Sequence, residues 1–323
     1  MGKNLPKFIR LPGDPQISPP YKFEKVLIRS FRLNADAGTL QKLVRRCLNI
    51  GNKERKQNSF YYDYSTERDF VDLDLLTYGS MESGAEGPEK KMGFMTQNEL
   101  CFRLLVNKFD HDNKLEENAI FIPYIFVDNP WSVIAGREVI GYPKLYAHFD
   151  MPPLGPYPVT IKAHVFKKFG ENEKLDLDEV VKIEAAGGSP PGSAFQTWPW
   201  GGDPPAGYTA PGQKPERKCI IQLKQFLDAK NHDNDANGRY DRACYQALVR
   251  AEISTKVRNP GTHNPDPLFP AKITIKNHPS LPLVEVLGLK GAVQQTTWAY
   301  KVECNMELYD AEVLFEPPER EEE

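Results

Sequence analysis

A single lysine, Lys144, stands in the run GREVIGYPKLYAHFD (residues 136–150), directly behind a Gly-Tyr-Pro turn. Val139, Ile140, Tyr142, Leu145 and Tyr146 flank it, so its surroundings are apolar. A lysine is a nucleophile only as the free amine. Its reference pKa of about 10.4 leaves roughly one part in several thousand unprotonated near pH 7. Desolvation in an apolar pocket, or a neighbouring cation, shifts the balance toward the amine. The amine then attacks a ketone or aldehyde and forms a Schiff base. Protonated, that imine is an electron sink, and a bond α to the former carbonyl can break. The local sequence suits the task. Pro143 fixes its own φ and drives Tyr142 toward extended backbone, while Gly141 permits a tight turn.

Other chemistries find no foothold. The sequence contains no P-loop, no GxGxxG, no GxSxG and no HExxH. Its five cysteines are odd in number and none forms a CxxC pair, which argues against a disulfide framework and a cysteine zinc site. The six histidines include no HxH or HxxxH pair, so no metal is called for. Net charge is −3, from 41 basic and 44 acidic residues, so no basic excess points to nucleic acid or to an anionic membrane surface. No apolar run approaches the roughly 18 residues of a membrane span. The first residues, MGKNLPKFIRLPGDP, lack the stretch of about 7–15 apolar residues of a signal peptide. The expected location is the cytoplasm.

The elements that must position Lys144 are mostly strands. Strand patterns occur at 24–33, 59–65, 69–79, 99–109, 119–129, 158–169, 179–186, 218–226, 271–277, 283–289, 296–308 and 311–316. In PVTIKAHVFKKF, Ile161, Ala163 and Val165 alternate with Lys162 and His164, the mark of a strand with one wet face. Residues 36–49 predict a short helix, with Leu40, Leu43, Val44 and Cys47 at helical spacing. Residues 244–257 are ambiguous between helix and strand. Strands outnumber helices and do not alternate with them, which excludes Rossmann and TIM architectures and predicts a mainly β (α+β) fold with a few helices. The expected organisation is an extended arm at 1–20, one domain over 21–317 and an acidic tail at 318–323. A Gly/Pro-rich insertion at 187–216 interrupts the domain.

GREVIGYPK resembles the active-site stretch of the acetoacetate decarboxylase family, approximately G-R-E-x-x-x-Y/F-P-K. FVDNPWSVIAGRE just upstream, PPYKF (19–23), ITIKNHPSLPLVEVLGL (273–289) and AEVLFE (311–316) resemble other family segments, in the family's order. The resemblance implies a closed, cone-like antiparallel β-barrel with flanking helices, in a homo-oligomer. It implies Lys144 as the Schiff-base nucleophile, activated by desolvation or a second cation, with no cofactor. It further implies Arg29 for the substrate carboxylate, an acid near Gln97 or Glu99, Tyr142 of the motif against the substrate, and Glu312 for acid/base work. Arg137 and Glu138 of the motif read as a structural ion pair. Leu145 stands where the decarboxylases carry a second lysine.

The expected activity is decarboxylation of a small or medium, acetoacetate-like β-keto acid. Two alternatives stay open: a Schiff-base aldolase or dehydratase acting on pyruvate-like acids, and a barrel that binds a ketonic or lipid-like ligand without turnover.

Overall fold

The computed structural model describes residues 9, 13–14, 17–50, 60–64, 68–86, 88–152, 157–188, 217–227, 243–257 and 266–316. Most of the expected 187–216 insertion, part of the N-terminal arm and the acidic tail lie outside the described residues. The first strands are β1 (Tyr21–Asn34), β2 (Tyr61–Tyr64), β3 (Phe70–Ser83), β4 (Met95–Phe109) and β5 (Leu115–Val127). Then come β6 (Lys144–Asp150), β7 (Val159–Val165), β8 (Asp176–Ala185), β9 (Arg217–Leu227) and β10 (Ala243–Val257). The last are β11 (Asp266–Pro267), β12 (Ala271–Ile275), β13 (Val293–Thr296), β14 (Ala299–Leu308) and β15 (Glu312–Phe315). Three α-helical segments accompany them: α1 (Ala37–Leu48), α2 (Pro130–Ala135) and α3 (Leu283–Val286). Among the described residues no helix is long and apolar enough to cross a membrane.

Local sequence explains the elements. In β7, Val159, Ile161, Ala163 and Val165 are buried while Lys162 and His164 are exposed, the period of two that a half-buried strand demands. α1 starts where Asp36 Oδ2 accepts from the backbone N–H of Thr39 (2.7 Å), and it buries Leu40, Val44 and Leu48 on one stripe. The ambiguous stretch 244–257 is strand, held between β9 and β14. The expected strand at 283–289 is instead the turn of α3. Leu283 and Leu287 are both fully buried, four residues apart, which is helical spacing.

The pairings run β5-β9-β10-β14-β1-β3-β4, and β4 pairs again with β5. From β5 a second series leaves through β6, β7, β8, β12 and β13. The fold is mainly β, as the sequence predicts, but it is not wholly antiparallel: β5 pairs in parallel with both β9 and β6. Residues 119–121 of β5 meet β9, and residues 125–127 meet β6. The two strands share one edge of β5 in succession, so the sheet divides there. Lys144, the first residue of β6, sits opposite Ile125 at that division.

Two apolar cores result. One gathers Phe31, Leu33, Leu73, Phe102 and Phe126 under α1. The other gathers Ile28, Leu76, Cys101, Ile125, Ile140 and Val302 around the site. Each fully buried aliphatic or aromatic side chain contributes about 1.5–3 kcal/mol. Deep in the strands, Arg103 Nε meets Asp74 Oδ2 at 2.6 Å and Arg103 Nη2 meets Asp72 Oδ2 at 3.2 Å. Arg32 Nε reaches Asp72 Oδ1 at 3.0 Å, and the Ser30 hydroxyl donates to Asp74. Alternation along β4 puts Gln97, Glu99, Cys101 and Arg103 on one face, so this ionic floor underlies the site that follows.

Candidate active site

The lysine is delivered by a chain of backbone devices. Asn129 Oδ1 accepts from the N–H groups of Trp131 (3.0 Å) and Ser132 (3.3 Å), and Pro130 takes the first position of α2. The helix widens into a π-helical turn, Gly136–Ile140, a geometry that recurs at functional sites. The Gly136 carbonyl accepts from both Gly141 and Tyr142, each at 3.0 Å. Gly141 ends the turn at φ +89°, and a Cβ there would stand 2.6 Å from Lys224 Cβ, so only glycine fits on both counts. The Lys144 N–H then bonds the Tyr142 carbonyl at 2.8 Å, closing the turn over Pro143. Arg137 Nη1 donates to the Lys144 carbonyl at 3.2 Å. The motif arginine therefore secures the start of β6.

Lys144 itself is buried at 8 % exposure. Its Nζ lies 2.7 Å from Ser132 Oγ, 3.5 Å from Glu99 Oε2 and 5.7 Å from the Tyr142 ring centre. Glu99 is held in turn: Gln97 Nε2 donates to Oε2 at 2.8 Å, and the Tyr78 hydroxyl donates to Oε1 at 3.3 Å. Burial, followed by the charge of Glu99, holds the Tyr78 and Tyr142 hydroxyls well above their ordinary pKa, so both stay protonated. The amine projects into a cavity of about 90 Å³. Ile122, Ile125, Ile140, Ile220 and Ile253 form its walls. Among the described residues that line it, Lys144 is the only cation, and Glu99 and Glu82 are the carboxylates. An ammonium and a carboxylate 3.5 Å apart attract by about 5 kcal/mol at an effective dielectric near 20. Burial costs several kcal/mol per ion in the opposite direction.

Of the residues expected at the site, the structure brings together Lys144, Glu99, Gln97 and Tyr142. Gln97 sits behind Glu99 and orients it. Arg29 and Glu312 lie elsewhere. Arg29 follows Ile28 on β1, and neighbours on a strand face opposite ways. Ile28 joins the core around the site, whereas Arg29 turns to the other side, in the field of Tyr157. Burial lowers the Arg29 pKa and Tyr157 opposes that shift. Glu312 is largely exposed on β15, where it meets Arg250 Nη1 at 3.2 Å. Two residues went unread in the sequence. Ser132 lies inside the FVDNPWSVIAGRE stretch, and its place three residues after the helix-capping Asn129 is the signal that could have singled it out. Tyr78 carries no local signal, because only the register of β3 against β4 sets it opposite Gln97.

Residues 76–162 match the family described as acetoacetate decarboxylase (ADC). That stretch carries Tyr78, Glu99, Ser132 and Lys144. No curated protein matches the chain. Solved structures share its fold over nearly the whole length. An acetoacetate decarboxylase is 15 % identical with a TM-score of 0.54, over 96 % of both chains. An acetoacetate decarboxylase-like enzyme from Sphingomonas wittichii RW1 is 13 % identical with a TM-score of 0.56, over 95 % of this chain and 98 % of that one. The enduracididine biosynthesis enzyme MppR, complexed with the condensation product of pyruvate and imidazole 4-carboxaldehyde, is 12 % identical with a TM-score of 0.53, over 94 % and 92 %. At such identities the likeness is one of fold. The chain thus shares the acetoacetate decarboxylase fold along nearly its whole length, and its lysine-bearing segment matches the family described as acetoacetate decarboxylase.

Proposed function

We propose that the protein is a Schiff-base carboxy-lyase acting on a β-keto acid, with Lys144 as nucleophile. The observation that carries the reading is the setting of the Lys144 amine: buried, between Ser132 and Glu99, in a cavity whose described lining holds no other cation. Glu99 takes a proton from Lys144, and the free amine adds to the keto carbon. Glu99 returns the proton as water leaves, and the iminium forms. The Cα–carboxylate bond then breaks, its electron pair flows into the iminium, and CO₂ departs. Solvent water supplies the proton that the enamine carbon takes up, and a further water hydrolyses the resulting iminium to the ketone and frees the Lys144 amine. Ser132 Oγ holds the nitrogen in line through these steps.

The apolar character of the described lining supports this reaction over its rival. A departing carboxylate loses its charge in the transition state, so a cation gripping it would stabilise the ground state more. Apolar walls do the reverse. A pyruvate aldolase keeps the substrate carboxylate throughout and needs a partner for it, and among the described lining residues no cation besides Lys144 stands ready for that. The fold shared with MppR and the presence of Leu145 keep that second reading as the alternative to be tested. Offered acetoacetate and longer β-keto acids, the protein should release CO₂, and Lys144→Ala should abolish the release while the fold persists. Full turnover by Lys144→Ala would contradict the proposal.

A further inference from the structure

The cavity does not end at the lysine. A second hollow of about 250 Å³ adjoins that cavity and shares Ile17, Met81, Glu82, Ser83 and Met95 of its lining, while Met306 and Leu308 line the first. The second hollow is bordered by Met92, Phe94 and Trp131, which are 51 %, 66 % and 37 % exposed. Four of the chain's six methionines (Met81, Met92, Met95 and Met306) line these two joined spaces. Methionine is unbranched and polarisable, so such walls adapt to a flexible apolar guest.

The hydroxyls near the mouth are already engaged. The Tyr21 hydroxyl donates to the Ile17 carbonyl at 2.5 Å, and Ser83 Oγ donates to the Ser18 carbonyl at 3.0 Å. Glu89 accepts from the N–H and hydroxyl of Ser18. Among the described residues lining the two spaces, the charged groups other than Lys144 are Glu82, Glu89 and Glu99, all acidic, and they repel an anionic far end. Among the described lining residues, most of what remains for a ligand beyond the reacting carbons is apolar surface.

We infer that the substrate is a 3-oxo acid bearing an unbranched, uncharged apolar chain, its keto carbon at Lys144 and its chain lying along the methionine-lined channel. This inference rests on the Schiff-base reading and deepens it, replacing the methyl group of acetoacetate by a longer tail. No new covalent step is involved: loss of CO₂ from such an acid leaves the long-chain methyl ketone, which is itself able to re-form the imine.

Two measurements on the wild-type protein separate the inference from the reading beneath it. The first is borohydride trapping with a series of 2-alkanones from acetone to 2-nonanone, scored by labelling of the Lys144 peptide. The concentration giving half-maximal labelling should fall about three- to fourfold for each added methylene until the channel is filled. The second is calorimetric binding of the matching 2-alkanols, which cannot form imines, and it should show the same dependence. Leu308→Trp should flatten both series, with acetone labelling reporting the intact lysine. Labelling that proceeds equally with acetone and 2-nonanone, with alkanols that do not bind, would overturn the inference and leave the Schiff base standing. Alkanol binding that tightens with length, without labelling by any ketone, would uphold the apolar-chain channel and sink the Schiff-base reading.

Discussion

The stem of Lys144 lies across the bare Cα of Gly136. A Cβ at that glycine would stand 2.7 Å from Lys144 Cδ and 2.8 Å from Cε. The first glycine of GREVIGYPK therefore makes room for the last residue of the same motif. Gly136→Ala should push the amine away from Ser132 and Glu99. Displacement of about 1 Å can cost roughly 10²-fold in rate, so kcat/KM should fall by that order. The overpacking itself costs about 1–3 kcal/mol, small enough to leave a folded protein by circular dichroism. Wild-type turnover in this variant would show that the stem has room to move.

Glu99 and Ser132 should separate by effect. Glu99→Gln removes the proton carrier of imine formation and should lower both turnover and the rate of reductive trapping on Lys144 by about 10²–10⁴-fold. Ser132→Ala removes one hydrogen bond to the amine, in general about 1.5–3 kcal/mol for a charged group, and should weaken kcat/KM by roughly 10–100-fold. Equal, small effects from both would remove them from the proposed steps.

The buried ionic floor should carry stability and leave chemistry alone. Arg103→Met leaves Asp72 and Asp74 buried without their main partner and should cost about 3–5 kcal/mol in urea unfolding. Replacing both aspartates by leucine in the same background should restore much of that loss. An Arg103→Met midpoint equal to wild type would show that water reaches the floor.

Thiol reactivity should follow burial. Burial pushes the Cys219 thiol up to about 12, with Glu117 adding to the shift, and burial alone pushes Cys304 up to about 12. Cys101 and Cys47 are raised by the same cause, while Cys244 is exposed. A thiol at about 12 is roughly one part in ten thousand thiolate at pH 8. Iodoacetamide at pH 8 should modify Cys244 in the native protein and the other four only after denaturation. Peptide mapping reads this directly.

The Arg250 cluster should register in acid. Burial pushes the Glu117 carboxyl up, yet the hydrogen bonds from Arg250 and Cys219 and the charge of Arg250 outweigh it and hold it below its ordinary 4.5. A lowered folded pKa means that the unfolded chain binds the proton first. The stabilisation is thus full above pH 4.5 and is lost as pH falls through the lower folded value. Unfolding of wild type and Glu117→Gln should differ most near neutrality, and the gap should shrink below pH 4.5. A constant gap would contradict the assignment.

Much of this site could be read from local sequence, because its central features are local. The glycine, proline and lysine of residues 136–144 dictate one compact turn, and α1 carries its own cap in Asp36. Residues set by register were harder. Arg29 lies only one place from Ile28, which joins the core around the site, and adjacent strand positions point to opposite faces. Tyr78 reaches Glu99 because β3 pairs with β4 in one register, and nothing within either strand announces that register. Glu312 pairs with Arg250 at the sheet's edge, a contact between residues 62 apart in sequence. The 283–289 stretch looked like a strand because its apolar residues are dense, and Leu283 and Leu287 resolve it as a helical turn only once burial is known.

Every step of the proposed reaction depends on Lys144 being the amine that forms the imine. Incubation with a methyl ketone and sodium borohydride, followed by peptide mapping, tests it most directly. A mass gain is expected on the peptide carrying Lys144 alone and is expected to be absent from Lys144→Ala. A gain on another lysine, or none on the Lys144 peptide at saturating ketone, would contradict it.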